Sequence, residues 1–387
     1  MKIDPYNHKE LYLDWKERTK ESIPSISKED SDLIKQYLSD MERGINIAKG
    51  SVKGGRSFIR LNTLKEKMIN FSKRLKSIYG VEKLTDVTEE QIISFFTDMR
   101  NGTLQKKGGG TFKSVEHYAR VFKAFWHWHQ KVSKKAGLEV TDITIDLDAR
   151  GEKPDWVYLN EQEVKKLVEN AKQEYRVLMM FLFDTGIRAP TELMNVKVSD
   201  LFNDYKELMI SQEASKTFGR RIKLMLCGEL LKDYVKDKGL QPSEYLFQTD
   251  PKIVNRYLKR LAAKLFGDKP SPAGARYSEL TMYDFRHISC CYWLPRYKSE
   301  SALKYRFGWK KSDKIHYYSE MLGMKDTISE DDMLVDLTKT EIEKRLETSE
   351  KEKEILKERV YTVEMQMAQV MQIASQMHLA INNEKAK

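Results

Sequence analysis

The side chains best suited to joint chemistry lie between residues 185 and 319: Thr185-Gly186-Ile187-Arg188, Ser215-Lys216-Thr217, Tyr283-Asp284-Phe285-Arg286-His287, Phe307-Gly308-Trp309, and Tyr318. An arginine is a planar, permanently charged fork, so two of them can hold the non-bridging oxygens of a phosphodiester while negative charge builds there. A tyrosine hydroxyl, with an ordinary pKa of about 10, attacks only where a cationic site favours its phenolate. A lysine on a turn can hand a proton to a departing oxygen. These residue types suit displacement at a phosphodiester.

The surrounding sequence predicts the elements that position them. Arg188 follows the apolar run from Val177 to Phe183, where one helix is expected to turn into the next, so it should project from a helix start. Lys216 falls between two strand-like runs, Glu207 to Gln212 and Arg220 to Leu226, around a Phe218-Gly219 turn. Arg220, Arg221 and Lys223 are expected there as phosphate contacts or solvated strand residues. Thr281 with Asp284 three later reads as a capping box, and Tyr283, Arg286 and His287 then share one helical face. Glu192, beyond Pro190, is expected to cap or orient its helix. Tyr283 and Trp309 are open to two readings, packed aromatics or site residues. His287 either bonds a phosphate or buttresses its helix.

Taken in order, these motifs resemble the tyrosine recombinases, the phage integrase family, and are most similar to archaeal integrases and Xer-type recombinases. The resemblance spans roughly residues 27 to 325. It implies that Arg188 and Arg286 are the two catalytic arginines, that Lys216 is the catalytic lysine, and that Tyr318 is the nucleophile. Trp309 stands at the position held by His or Trp in the family, nine residues before Tyr318. Tyr283 replaces the histidine that usually opens the second arginine box, and His287 is expected to support the site. The family's acidic residue usually comes three positions after the first arginine, whereas Glu192 is four on and is not counted as catalytic. Tyr317 adjoins the nucleophile, and spacing selects Tyr318.

The implied activity is site-specific cleavage and rejoining of double-stranded DNA through a 3′-phosphotyrosyl link, with no cofactor, metal or ATP, by a homo-oligomer that is a tetramer on DNA. Two alternatives remain: relaxation of DNA in the manner of a type IB topoisomerase, or a non-catalytic DNA-binding scaffold.

Composition bounds the reading. The chain has 387 residues, 33% charged and 40% hydrophobic, with a net charge of +10 that permits a polyanionic partner. Its apolar runs fall far short of the roughly 20 residues that span a bilayer, and its start lacks a signal-peptide stretch, so no membrane association is expected. The expected location is the cytoplasm, with the nucleoid. Cys227, Cys290 and Cys291 suit neither a disulfide framework nor a metal site and should be buried small hydrophobes. His127 and His129, two apart on a helix, cannot share a metal.

A mainly α fold with a small β-sheet (α+β) is expected, in five parts: an N-terminal extension (1–26), a helical core-binding domain of four helices that clamps DNA (27–138), a linker (139–157), a catalytic domain (158–328), and a C-terminal helical tail (329–387). The last helix of the clamp carries an apolar stripe through Val115, Tyr118, Phe122, Phe125 and Trp126. Gly-containing loops at Lys49 to Arg56 and Lys106 to Gly110 either approach phosphates or are solvated. Asn160 with Glu163 should open a helix. In the tail, Ile342, Leu346, Leu356, Val360, Val363, Met367, Val370, Ala374, Met377 and Ile381 form a coiled-coil seam, interrupted at Ser349 and Lys353, that is expected to pair protomers, with folding back on the catalytic domain as the alternative.

Overall fold

The computed structural model describes residues 4–45, 54–106, 108–151, 154–297 and 299–322, and beyond these 349–350, 353–354, 356–367 and 371. Met1–Leu322 form one compact unit and Gly323–Lys387 a second. Among the described residues the fold is mainly helical with one small sheet, as the sequence predicts.

In the first part of the compact unit, α1 (His8–Arg18), α2 (Lys28–Glu42), α3 (Phe58–Tyr79), α4 (Glu89–Asn101) and α5 (Val115–Lys135) surround a core rich in aromatic rings. The stripe on α5 supplies Val115, Phe122, Phe125 and Trp126 to that core, with Tyr118 partly buried. Phe71 of α3 meets Phe95, Phe96 and Phe122 edge to face, the arrangement that ring quadrupoles favour. The N-terminal extension contains α1, and its Tyr12 is buried in the same core. Thr88 and Gln91 form a reciprocal cap on α4. His127 pairs with Asp142 at 3.1 Å and His129 stacks on Phe125. Residues 46–53 and 107 of the two basic loops lie outside the described residues.

After the linker, α6 (Glu161–Glu169) opens on the expected box: Asn160 and Glu163 each accept the other's backbone N–H at 2.9 Å. Next, α7 (Gln173–Thr185) buries Val177, Leu178, Met179, Phe181, Leu182 and Phe183, which makes it a central helix rather than an amphipathic surface one. Strands β1 (Leu201–Phe202), β2 (Glu207–Ile210) and β3 (Arg220–Lys223) form an antiparallel meander with Leu208 opposite Ile222 and Ile210 opposite Arg220. Both expected strands are present, with shorter C-terminal ends, and β1 is an addition. The remaining helices are α8 (Gly228–Lys238), α9 (Pro251–Phe266), α10 (Asp284–Trp293), α11 (Glu300–Phe307) and α12 (Asp313–Met321). Cys227, Cys290 and Cys291 are free and buried, as expected. No helix among the described residues is long and apolar enough to cross a membrane.

In the second unit residues 356–367 are helical. Of the seam positions, Leu356, Val360, Val363 and Met367 fall there; Ile342, Leu346, Val370, Ala374, Met377 and Ile381 lie outside the described residues.

Candidate active site

Three glycines and a buried carboxylate bring the site together. Gly186 ends α7 at φ 57°, the left-handed conformation that glycine adopts without penalty. A Cβ there would lie 2.2 Å from Phe307 Cε1, so only glycine lets the 186–188 turn pass against α11. At Gly308 a Cβ would meet the Arg220 guanidinium at 2.9 Å. Gly219 passes equally close to the backbone of Gln212 at the mouth of the β2–β3 loop.

Arg188 follows this turn. It does not start a helix, because Ala189 to Glu192 form a turn that leads only into a single 3-10 turn, Leu193–Asn195. Its Nη1 donates to Glu192 at 2.6 Å and its Nη2 to the Gly308 carbonyl at 2.8 Å. Glu192 stands at the N-cap of that 3-10 turn, but its side chain makes no cap hydrogen bond. It is 1% exposed and accepts the Arg188 backbone N–H at 3.0 Å, the Ser215 hydroxyl at 3.1 Å, and both Arg220 Nη atoms at 3.2 and 2.9 Å. Burial alone would raise its carboxyl, but the two guanidinium groups outweigh that and hold it down at about 2.

Arg220 is therefore neither a phosphate contact nor a solvated strand residue. It faces inward in phase with Ile222, is 1% exposed, and also donates Nε to the Arg306 carbonyl at 2.9 Å. Arg221, on the opposite face, pairs with Glu207 and lies over Phe202. The inward phase of position 220, shared with an isoleucine, was the available sequence signal. A second buried pair, Arg306 on Asp184 at 2.8 Å, was not anticipated. Asp184 also accepts the backbone N–H groups of Met225, Leu226 and Cys227, tying α7, the segment after β3 and α11 into one frame.

Arg286 projects from α10 into the same frame. Its Nη1 donates to the Gly186 carbonyl at 2.6 Å and its Nη2 to the Phe307 carbonyl. Burial, reinforced by the nearby Arg188 charge, lowers its pKa to about 10. Two of its five N–H donors are thus engaged by backbone. The start of α10 differs from the expected box: Thr281 donates both its N–H (2.7 Å) and its hydroxyl (2.6 Å) to Asp284, and the helix begins at Asp284. The other Asp284 oxygen accepts Val157 N–H at 3.1 Å, which fastens the linker to this helix.

Tyr318 on α12 is 3% exposed. Its hydroxyl lies 2.5 Å from His287 Nδ1, and its ring stacks on Trp309 at 5.9 Å and 12°. Trp309 in turn stacks on Phe307, and the Arg286 guanidinium lies 5.8 Å from its ring centre. Burial pushes the Tyr318 hydroxyl well above its ordinary pKa, with Arg286 acting in the opposite sense. Trp156, within the segment expected to be a linker, stacks on His287 at 4.8 Å and 25° and gives its indole N–H to the Tyr317 hydroxyl at 2.8 Å. A lone tryptophan in a polar linker was the only hint of it. Tyr283 is 52% exposed, with its ring 5.3 Å from that of His287.

Arg188, Arg286, Trp309, His287 and Tyr318 are thus linked through Gly308, Phe307 and one aromatic stack. Lys216 stands apart, exposed on the β2–β3 loop and without a partner among the described residues. Its neighbours are anchored, however: Ser215 on Glu192, and Thr217 on the Gly308 carbonyl at 2.9 Å.

Residues 157–323 match the phage integrase family. Solved structures similar to the chain include the Tn1549 transposon integrase in complex with transposon right-end DNA (TM-score 0.53, 16% identity, 78% of this chain and 96% of that one). A lambda integrase dimer bound to a core site gives a TM-score of 0.54 at 18% identity over 84% and 85% of the chains. XerH site-specific recombinase in a post-cleavage complex with palindromic difH gives 0.55 at 13% identity over 83% and 87%. At these identities the likeness is one of fold. No curated protein is a detectable sequence relative of this chain.

Proposed function

We propose that this chain, whose residues 157–323 match the phage integrase family, is a tyrosine recombinase that cleaves and rejoins double-stranded DNA at specific sites through a 3′-phosphotyrosyl link to Tyr318. One observation carries the reading: the Tyr318 hydroxyl lies in a single connected cluster with His287, Trp309, Arg286 and, through Gly308, Arg188. Arg188 and Arg286 keep unused N–H donors beyond those their backbone and Glu192 contacts take, and these are the groups that hold the non-bridging oxygens. Glu192 and the carbonyls of Gly186, Phe307 and Gly308 fix the direction of both forks. Lys216, held on a loop whose flanking hydroxyls are anchored, protonates the departing 5′ oxygen. Tyr283, at the rim, bonds phosphate by its phenol. The covalent link conserves the energy of the broken bond, so rejoining needs neither ATP nor metal.

Tyr317 is less suited to attack, because its hydroxyl accepts from Trp156 and donates to the Pro154 carbonyl at 3.4 Å. The net charge of +10 and the DNA complexes of the Tn1549, lambda and XerH proteins support duplex DNA as the partner. In this reading residues 27–138 clamp the duplex opposite the catalytic part, four protomers act together, and the tail seam pairs protomers. The protein works on DNA in the cytoplasm. The test is a nicked duplex that traps the covalent intermediate. Tyr318→Phe removes adduct formation while DNA affinity stays within a few fold, and an adduct that persists in Tyr318→Phe but vanishes in Tyr317→Phe overturns the assignment.

A further inference from the structure

A phenol as deeply buried as that of Tyr318 does not release its proton to water, so the cleavage step needs an acceptor at hand. The hydroxyl meets one: His287 Nδ1, at 2.5 Å. The imidazole is held in place by its surroundings. It lies parallel to Trp156 at 4.8 Å and 25°, with Tyr283 edge-on at 5.3 Å. Trp156 is itself pinned by its bond to Tyr317 and by the exchange of backbone bonds between Trp156 and the Ala273–Ala275 turn. An imidazolium formed over the face of an indole is stabilised by the ring quadrupole, so the same wall that positions the neutral ring favours its protonated form. Histidine is also the one residue in this aromatic cluster that exchanges a proton readily near neutral pH.

We propose that His287 is a catalytic residue, the general base that takes the Tyr318 proton during cleavage and returns it during rejoining. The inference rests on Tyr318 being the nucleophile. With the proton of the neutral ring on Nε2, the Nδ1 lone pair faces the hydroxyl. As the Tyr318 oxygen–phosphorus bond forms, the proton passes to Nδ1, and the phosphorus–5′ oxygen bond breaks with the Lys216 proton going to that oxygen. In rejoining, the 5′ hydroxyl attacks phosphorus and returns its proton to Lys216, while the Tyr318 oxygen leaves with the proton from Nδ1. Protons and bonds balance over the cycle, with no further reactant.

The test uses the full chain and a nicked duplex that the wild type cleaves, in single turnover. His287→Ala slows adduct formation by about 100-fold or more, the range of a lost general base. His287→Gln, which keeps the shape and a hydrogen-bonding group but accepts no proton, is equally slow. Replacing Tyr318 with 3,5-difluorotyrosine, a more acidic phenol, restores the His287→Ala rate by about tenfold or more while changing the wild type little, because an acidic phenol depends less on a base. Wild-type rates in His287→Gln mean that the contact only positions the ring, and the proposal fails. Faster adduct formation in His287→Ala means that the bond is a lock on the resting tyrosine, and it fails equally, as it does if fluorination changes both chains by the same factor. Absence of any adduct in the wild type overturns the recombinase reading instead.

Discussion

Glu192 is the place where removing one charge has the most legible consequence. In Glu192→Gln one carboxylate oxygen becomes an NH2 group, and whichever way the amide turns, that group faces donors: Arg188 N and Arg220 Nη2 on one side, Arg188 Nη1, Ser215 Oγ and Arg220 Nη1 on the other. Arg220 remains charged at 1% exposure with no counter-ion, and breaking a buried pair from one side costs about 3–5 kcal/mol. Linkage gives a consistent figure. Holding this carboxyl at about 2 instead of its ordinary 4.5 corresponds to about 3 kcal/mol of stability at neutral pH. The folded-state pKa is the lower one, so that contribution is present in full above 4.5 and is lost as pH falls towards 2. Urea unfolding of wild type and Glu192→Gln therefore shows a gap of about 3–5 kcal/mol at pH 7 that shrinks to about half at pH 3. The double variant Glu192→Leu/Arg220→Met is less destabilised than Glu192→Gln, since it removes the fully buried Arg220 charge together with its counter-ion and leaves only the more exposed Arg188 without a carboxylate. A gap below about 1 kcal/mol at pH 7, or one that is the same at pH 3, refutes the reasoning.

Three further outcomes are expected. Lys216→Ala is severely slow on ordinary DNA and substantially recovered when sulfur replaces the 5′ bridging oxygen, a leaving group that needs no proton; lack of recovery in a gel assay moves the acid elsewhere, Tyr283 first. Gly186→Ala combines a left-handed residue with a Cβ 2.2 Å from Phe307, and thermal unfolding reads a loss of about 2–4 kcal/mol, whereas an unchanged Tm contradicts the packing of this turn on α11. Truncation after residue 335 keeps every site residue, so adduct formation persists while light scattering on DNA gives a smaller mass; equal masses with and without the tail exclude the seam from assembly.

Local spacing decided a good part of this protein. The Asn160–Glu163 cap, the α5 stripe and the two strands around Lys216 depend on residues within one element, and period and turn chemistry read them from the chain alone. The motif order from Arg188 to Tyr318 likewise names residues that the fold brings together, Arg188, Arg286, Trp309 and Tyr318, with Lys216 apart on its loop. Element ends were less legible: Thr281 and Asp284 carry the residue types of a capping box, yet the hydroxyl donates to the carboxylate and the helix starts later. What the sequence could not rank was which charges go inside. Arg220 and Arg221 are identical neighbours, and only the tertiary structure gives one of them Glu192, 28 residues away, while the other meets solvent and Glu207. Arg306 meets Asp184 across 122 residues, and Trp156 reaches Tyr317 across 161. A buried ion is tolerated only where its counter-ion and hydrogen bonds converge on it, and a proton passes only where donor and acceptor are in contact. Both conditions are set by the packing of distant segments, which no local pattern in the chain encodes.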